Sequence, residues 1–380
     1  MKSKMATLRN DSITTRAHLE LVKTVALAQG LRVQGDTLAG LGGSETLTVH
    51  EYPTTGGITL VLEQGVLINA PFDEPYCADS PLELFGSREG FALRIADVTV
   101  PVLDILPLPG YLSAVDHEGR AVADVAMSHS DRVRLSPIEG CVFNCSFCDM
   151  GGRYLPRSPE QIVAALETAL SDEALPARHI LISGGSPGWA LAEQNYFEEV
   201  CIAVIGHARS LSALRDSSLS VDIMMSARKD GPEFVDRMVE EGVQGFSFNL
   251  EVFSDEAAVT HLGRKHRSAR PLLAAMIERA VKTLGWGSGR VRSLIIPGLE
   301  TPEQTLEGVE WLASMGCDPV LSPFRPARGT ALAAASPLEP EVLDYVLRRS
   351  RAIVREHGVG VGPRCVPCQH NTLSFPWDVA

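Results

Sequence analysis

Residues 131–148, DRVRLSPIEGCVFNCSFC, decide the architecture that the rest of this 380-residue chain completes. The first six of these residues predict a strand. Three cysteines follow within eight residues, at Cys141, Cys145 and Cys148. Three thiolates at this spacing converge on one metal centre only if the chain loops around it, and one iron of a [4Fe–4S] cluster held by three ligands would stay open to a non-protein ligand. The competing interpretation is a structural zinc site with a distant fourth ligand, although structural zinc usually uses paired Cys-x₂-Cys units.

Outward from this stretch, short strand-like runs alternate with longer amphipathic patterns. Candidate strands lie at residues 131–136, 179–183, 220–226, 245–252, 291–297, 319–324 and 358–362, and candidate helices at 159–170, 195–208, 232–242, 271–285, 302–316 and 340–358. Several helical patterns open with Pro-Glu, a first-turn signal, because proline lacks only an N–H that is unpaired there and glutamate complements the helix dipole. The alternation predicts parallel βα units, and about six of them predict an α/β fold with a partial (β/α)₆-type barrel over residues 131–380.

Residues 1–130 follow a different pattern. An amphipathic helix near residues 14–28 precedes strand-like runs at 47–53, 57–71 and 91–105. The turn residues Glu63-Gln64-Gly65 interrupt the second run and predict a hairpin. The polar segment 115–130 separates this part from the barrel, so we expect an N-terminal α+β accessory domain over residues 1–130.

The composition excludes several classes of protein. Hydrophobic residues make up 45% and charged residues 21% of the chain, which excludes a disordered chain, a collagen-like fibre and a small disulfide scaffold. The net charge of −13 disfavours a polyanionic partner such as duplex DNA. The start of the chain lacks the apolar stretch of a secretory signal, and no run approaches the roughly 18 apolar residues of a spanning helix, so we expect a cytoplasmic protein without membrane contact. Eight cysteines in a reducing compartment then point to metal or thiol chemistry.

The spacing Cys-x₃-Cys-x₂-Cys, with Phe147 before its last cysteine and LSPIEG before its first, resembles the signature of the radical S-adenosylmethionine (radical SAM) superfamily. The resemblance implies that Cys141, Cys145 and Cys148 hold a [4Fe–4S] cluster and that S-adenosylmethionine (SAM) chelates its fourth iron. It also implies that one electron, from a donor such as flavodoxin or ferredoxin, cleaves SAM to a 5′-deoxyadenosyl radical that abstracts hydrogen from an unactivated C–H bond. The cofactor then carries the chemistry, while the protein orients and shields it.

Two elements after predicted strands resemble SAM contacts of that superfamily, at the barrel end where such folds place their sites. Gly184-Gly185-Ser186 is similar to the Gly-Gly-Glu element whose backbone carbonyls bind the SAM amino group, with serine in place of glutamate. The same residues would also suit an ordinary tight turn. Asn249 and Glu251 resemble the ribose-binding element of the biotin synthase and lipoyl synthase branch.

Three further residues complete the SAM contacts that the resemblance implies. Ile296 lies in a partial match to the element that supports the adenine, although an ordinary buried strand is an equal alternative. Arg270, or Arg264 in its place, has the sequence position of the cation that pairs with the SAM carboxylate, a role that suits a guanidinium. A solvated helix start or a phosphate-binding patch would explain these arginines equally well.

A second cysteine pair, Cys365 and Cys368, follows the last candidate strand. We therefore expect it on the same barrel face as the SAM site. Cys-x₂-Cys helps to hold an auxiliary iron–sulfur cluster, binds zinc or acts as a redox dithiol, and all three alternatives remain open because a pair is not a complete site. Cys77, in the accessory domain, is one candidate for completing it.

The sequence therefore predicts a radical SAM enzyme that acts on a small molecule in a biosynthetic pathway. Sulfur insertion is one predicted outcome, because the Asn249–Glu251 element resembles the sulfur-inserting branch, but the additional cysteine patterns of biotin and lipoyl synthases are absent. Rearrangement and elimination are alternatives. Modification of RNA by way of the arginines at 264–270 and 348–355 is disfavoured by the net charge. A non-catalytic iron–sulfur or zinc protein is the alternative outside catalysis.

Overall fold

Two large β-sheets organise the described part of the chain. The computed structural model describes residues 14–41, 56–87, 90–215, 218–266 and 269–379. The strand predicted at 47–53 lies outside these residues. One sheet is formed by the N-terminal third of the chain, and the other is a curled sheet that begins at Ala126.

Among the described residues, the N-terminal sheet has six strands and packs against helix α1. Its elements are α1 (Arg16–Gln29), β1 (Arg32–Val33), α2 (Gly35–Gly40), β2 (Ile58–Leu62), β3 (Leu67–Ala70), β4 (Glu83–Ser87), β5 (Gly90–Ile95) and β6 (Val98–Ile105). The strand order is β1-β4-β5-β6-β2-β3, and only β1 and β4 pair in parallel. The predicted hairpin is confirmed, since β2 pairs antiparallel with β3 around residues 63–65.

The second sheet is the predicted partial barrel. Its elements are β7 (Ala126–His129), β8 (Arg132–Leu135), β9 (Ile138–Cys141), β10 (Arg153–Pro156), α3 (Pro159–Leu170), β11 (His179–Ile182), α4 (Leu191–Arg215), β12 (Ser220–Met225), α5 (Gly231–Glu241), β13 (Gly245–Phe248), α6 (Asp255–Leu262), α7 (Ala269–Leu284), β14 (Val291–Ile295), α8 (Pro302–Ala313), β15 (Asp318–Leu321) and α9 (Pro340–His357). Strands β8 and β11 to β15 run parallel in the order β15-β14-β13-β12-β11-β8, while β9 and β10 form a separate hairpin. The six parallel strands confirm the predicted α/β partial barrel.

Two details of the barrel differ from the prediction. The sheet starts earlier than residue 131, because β7 adds antiparallel to the edge of β8. The strand predicted at 358–362 is wrong, since a single bridge joins Gly362 to Val320 there. Gly362 N–H donates to Pro319 O at 2.9 Å, so this segment meets the sheet near the amino-terminal end of β15 and does not extend along it.

The helices around the barrel are amphipathic, as predicted. In α9, for example, Leu343, Val346 and Leu347 are buried. Helices α3 and α8 begin at the predicted Pro-Glu signals, and each has a capping box, in which a Ser or Thr and a Gln satisfy the free N–H groups of the first turn. Across the described ranges, no helix is both long and apolar enough to span a bilayer.

The C-terminal segment, residues 363–378, packs between the two sheets. Lys23 of α1 is fully buried, and its ammonium donates to Gln369 O at 2.8 Å and Ser374 O at 2.7 Å. Leu373 N–H donates to Leu321 O at the end of β15. A direct contact also joins the two sheets, because Arg325 donates to Asn69 O of β3 at 2.8 Å.

Candidate active site

The three cysteines of the 141–148 motif lie on one loop between β9 and β10. Cys141 ends β9, and all three thiol residues are half-buried. Ser146 holds the loop against the end of α6, since its N–H donates to His261 O at 2.9 Å and its hydroxyl lies 2.8 Å from His261 Nδ1. The chain therefore loops as three ligands of one centre require.

Cys145 and Cys148 of this loop are protonated in the absence of a metal centre. Burial raises the pKa of Cys145 to about 12, although the charge of Lys265 opposes the shift. Burial likewise raises the pKa of Cys148 to about 11. Metal or cluster binding must therefore displace these protons, and the energy of the metal–thiolate bonds has to cover that cost.

The predicted Gly184-Gly185-Ser186 element lies directly against the thiol loop. Ser186 N–H points at Cys141 Sγ, at 3.3 Å. A Cβ on Gly185 would lie 1.6 Å from Gly140 O, which no side chain can occupy, and Gly184 has a φ of 106°. Both glycines are thus needed for the backbone of this turn to approach Cys141. Such a close approach would let the turn hold a ligand beside the cysteines.

Glu251 lies at the carboxyl end of β13 and forms a buried ion pair. Its Oε1 accepts from Lys265 Nζ at 2.5 Å, while its Oε2 is buried without a hydrogen-bond partner among the described residues. Glu251 has a φ of 70°, and two backbone hydrogen bonds hold it there: its N–H donates to Leu294 O at 2.7 Å, and Ile296 N–H donates to its O at 2.8 Å. The unpartnered oxygen is available to accept a hydroxyl of a ligand.

Lys265 was missed by sequence reasoning. Burial disfavours its ammonium, but the charge of Glu251 and the proximity of Cys145 outweigh burial and hold the pKa of Lys265 above its ordinary range. Lys265 is therefore a fixed cation between Glu251 and the thiol loop. It follows Arg264 directly in sequence, and nothing local marks which residue of this basic run turns inward.

The two predicted arginines lie elsewhere around this site. Arg264 is exposed. Arg270 binds Phe253 O, lies 2.8 Å from Asp255 Oδ1 and stacks over the Phe253 ring at 4.7 Å. It nevertheless lines a cavity of about 30 Å³ together with Asn249 and Lys265.

An apolar patch borders the thiol loop. Phe147 and Cys145 pack against its members, which are Val252, Ala257, Ala258, Leu262, Ile296, Leu299 and Phe324. The patch therefore brings the predicted Phe147 and Ile296 together. Glu300, four residues after Ile296, fixes the start of α6, because its carboxylate accepts the N–H groups of Phe253 and Ser254 at 2.8 to 2.9 Å.

The second cysteine pair does not lie on this barrel face, so that expectation is wrong. Cys368 Sγ lies 3.3 Å from Nδ1 of His179, the first residue of β11, whereas the thiol loop and Gly184 follow carboxyl ends of strands. The reason is that Gly362 meets the sheet near the amino-terminal end of β15. The residues that follow it therefore enter the barrel at the amino-terminal ends of the strands. Cys77 does not join the pair, because its thiol donates to Pro71 O within the N-terminal sheet.

The described residues fit a SAM-binding cluster centre. Three thiols share one loop, and the turn beside Cys141 has no room for a side chain at Gly185. Among the described residues, Oε2 of Glu251 is buried without a hydrogen-bond partner. A family model described as the radical SAM superfamily matches residues 135–323. The chain belongs to the radical SAM superfamily. Its cofactors are those of this superfamily, a [4Fe–4S] cluster and SAM.

Solved structures give further likenesses. The [FeFe]-hydrogenase maturase HydG is similar at 15% identity and a TM-score of 0.43, over 58% of this chain and 48% of HydG. Coproporphyrinogen III oxidase (HemN) from Escherichia coli is similar at 17% identity and a TM-score of 0.41, over 60% of this chain and 52% of HemN. Methylornithine synthase (PylB) is similar at 17% identity and a TM-score of 0.42, over 66% of this chain and 78% of PylB. The chain thus spans about half the length of the first two proteins. No curated protein matches its sequence.

Proposed function

We propose that this enzyme reductively cleaves SAM to a 5′-deoxyadenosyl radical and abstracts hydrogen from a small-molecule substrate. One observation carries the proposal: Glu251, with one buried oxygen unpartnered, is fixed by Lys265 at a strand end next to the thiol loop. When bound, the cluster supplies the electron and SAM supplies the radical that attacks an unactivated C–H bond.

The chain's own residues then bind and orient the cofactors. Cys141, Cys145 and Cys148 hold the cluster, and the backbone of residues 184–186 binds the SAM amino group. Glu251 accepts the ribose hydroxyls through Oε2, and Asn249 lines the neighbouring cavity together with Lys265, the ion-pair partner of Glu251. Such fixed polar groups need no reorganisation during the reaction.

The remaining contacts follow from charge and apolar surface. Arg270 lines the cavity that holds Asn249 and is our candidate for the SAM carboxylate, with Lys265 positioning Glu251. Arg264 is the weaker alternative because it is exposed. Phe147 and Ile296 supply apolar surface for the adenine and exclude water.

We propose that the N-terminal part of the chain, predicted as residues 1–130, is an accessory domain that caps the substrate site of the barrel predicted over residues 131–380; β7, at the end of this part, pairs with the barrel sheet. Arg328, in the loop after β15, binds Asp73 O of the N-terminal part, and Gly329 lies against Asp149, which follows Cys148. The accessory domain therefore reaches the loops beside the thiol motif. A flavodoxin or ferredoxin is the proposed electron donor.

Sulfur insertion is the less favoured form of this function. It requires an auxiliary cluster as sulfur donor, and Cys365 and Cys368 are the candidate ligands. The donor atoms of this pair and His179 all lie within 4.8 Å of one another, which suits a single ion better than a cluster. We therefore favour hydrogen abstraction followed by rearrangement or elimination.

The test is 5′-deoxyadenosine formation by the anaerobically reconstituted protein with SAM and dithionite. We expect wild type to form it and Cys145→Ala to lose both the product and the cluster absorbance of this site. Cys201→Ala is the matched control, because Cys201 is a buried thiol within α4, away from the loop. Undiminished product from Cys145→Ala, or none from wild type with an intact cluster, would overturn the proposal.

A further inference from the structure

A second donor set lies inside the barrel lumen. The Nδ1 or Nε2 of His179 and the Sγ atoms of Cys365 and Cys368 all lie within 4.8 Å of one another, with 3.3 Å between His179 Nδ1 and Cys368 Sγ. His179 begins β11, and the two cysteines flank the start of the short 3₁₀ segment Val366–Asn371. Residues 189 positions apart in the chain are thus brought to one point.

The histidine is oriented as a metal ligand. Its Nδ1 faces the thiols, while its Nε2 lies 3.1 Å from Asp222 Oδ2. Arg292 binds the same carboxylate and fixes it in turn. A carboxylate on the far nitrogen sets the tautomer and ring orientation of metal-binding histidines, and it leaves the near nitrogen as a lone-pair donor.

The distances between the three donor atoms match those around a single metal ion. Ligand atoms at 2.0–2.3 Å from one tetrahedral zinc ion lie roughly 3.4–3.8 Å apart, within the spread found here. Two cysteines from one short turn and one histidine from a strand also form the Cys₂His set of zinc sites that keep a fourth position open. We propose that His179, Cys365 and Cys368 bind one zinc ion whose fourth position is open to the barrel lumen.

The lumen next to this position holds a cavity of about 110 Å³ that both apolar and charged side chains line. His179 and both cysteines line it, together with Arg132 and Arg292. Arg132 Nε is buried without a hydrogen-bond partner in the described part of the chain. These guanidinium groups favour water or a small anionic group, such as a carboxylate, as the fourth ligand of the ion.

The proposed zinc site is separate from the SAM site. The four residues of β11 lead from His179 towards the turn at Gly184, and at about 3.3 Å per residue this strand spans about 13 Å. The proposal therefore does not depend on the radical chemistry, and its test requires no SAM cleavage.

The test is metal content of the full-length chain with the first cluster removed. In the Cys141/Cys145/Cys148→Ala variant, grown with zinc and iron, we expect about one zinc per chain. Adding His179→Ala or Cys368→Ala should remove the zinc, whereas adding Cys201→Ala should not. Zinc absorption fine structure should show two sulfur ligands near 2.3 Å and one nitrogen near 2.0–2.1 Å.

Cobalt provides a check that does not depend on the folding of the triple variant. Wild type, stripped of zinc and titrated with Co²⁺, should gain thiolate-to-cobalt charge-transfer absorbance, and Asp222→Asn should need about 10–100-fold more Co²⁺ for it. Iron and sulfide in the triple variant that are lost with Cys368→Ala would identify a cluster and overturn the proposal. A metal-free Cys365–Cys368 disulfide, or no cobalt absorbance, would overturn it equally.

Discussion

Gly185 is needed because two backbone segments meet there. A Cβ at this position would lie 1.6 Å from Gly140 O, so the turn after β11 would have to move away from Cys141. The displaced atom belongs to backbone and not to a flexible side chain, so the strain cannot be relieved locally. The short distance between the thiol loop and the turn therefore depends on the absence of a side chain at Gly185.

We predict that Gly185→Ala lowers SAM affinity at least tenfold and reduces cluster content after reconstitution. The measurement is SAM binding by anaerobic calorimetry, with iron analysis of the same samples. The control is Gly206→Ala within α4, where an added Cβ meets nothing within 4 Å and should leave both quantities unchanged. Equal SAM affinity for the two variants would contradict the proposed role of this turn.

The elements show how far local sequence signals reach. The starts of α3, α8 and α9 were predictable, because Pro159, Pro302 and Pro340 mark first turns through local chemistry. The parallel strands were predictable from the alternation of patterns. The 3₁₀ segment Val366–Asn371 was not, since its position depends on contacts with α1 and β11 that are distant in sequence.

The same limit applies to the candidate site. Spacing alone identified the cysteine motif, because its three members lie within one loop. His179 and Lys265 carried no local signal, since each acquires its role from a partner on another element. The roles assigned to the SAM contacts stay predictions until binding is measured.

A buried lysine joins α1 to the C-terminal segment, and its ionisation should affect stability. Burial lowers the pKa of Lys23 to about 7, while Asp378 opposes the shift. The unfolded chain keeps this amine protonated up to about pH 10.4, so between pH 7 and that value the unfolded state binds more protons than the folded state. Stability should therefore rise with pH across this window, by up to a few kcal/mol.

We predict that Lys23→Met removes this rise. The measurement is the free energy of unfolding from urea titrations at pH 7 and pH 9.5, in reducing buffer, for wild type and variant. The difference between the two pH values should be larger for wild type. If the free energy of unfolding changed by the same amount between the two pH values in both proteins, burial would not lower the pKa of Lys23. Its hydrogen bonds would then stabilise the ammonium in the folded state.

At the scale of the whole molecule, the two sheets should unfold together. Arg325 is buried and donates to Asn69 O across their boundary, and the C-terminal segment contacts both α1 and β15. Breaking such contacts leaves buried polar groups unsatisfied, which is costly. Neither sheet can separate without that cost.

We predict one urea midpoint for hydrogen exchange in peptides from β2 and β3 and in those from β14. Arg325→Met should give the two groups of peptides different urea midpoints. The N-terminal peptides should lose protection at the lower urea concentration, because the variant leaves Asn69 O without its donor. Arg279→Met is the control, since Arg279 pairs with Asp236 between α5 and α7 and does not cross the boundary. Two midpoints in wild type would show independent units.

The position of the C-terminal segment also limits how a substrate can enter. Because residues 363–378 bind α1 on one side and β15 on the other, the two halves of the molecule cannot swing apart as a hinged pair. A cavity that Trp189 and Asn249 line lies among the loops at the carboxyl ends of the strands, outside the contacts of the C-terminal segment. We therefore predict that substrate enters and product leaves at this end of the barrel, the end at which the thiol loop also lies.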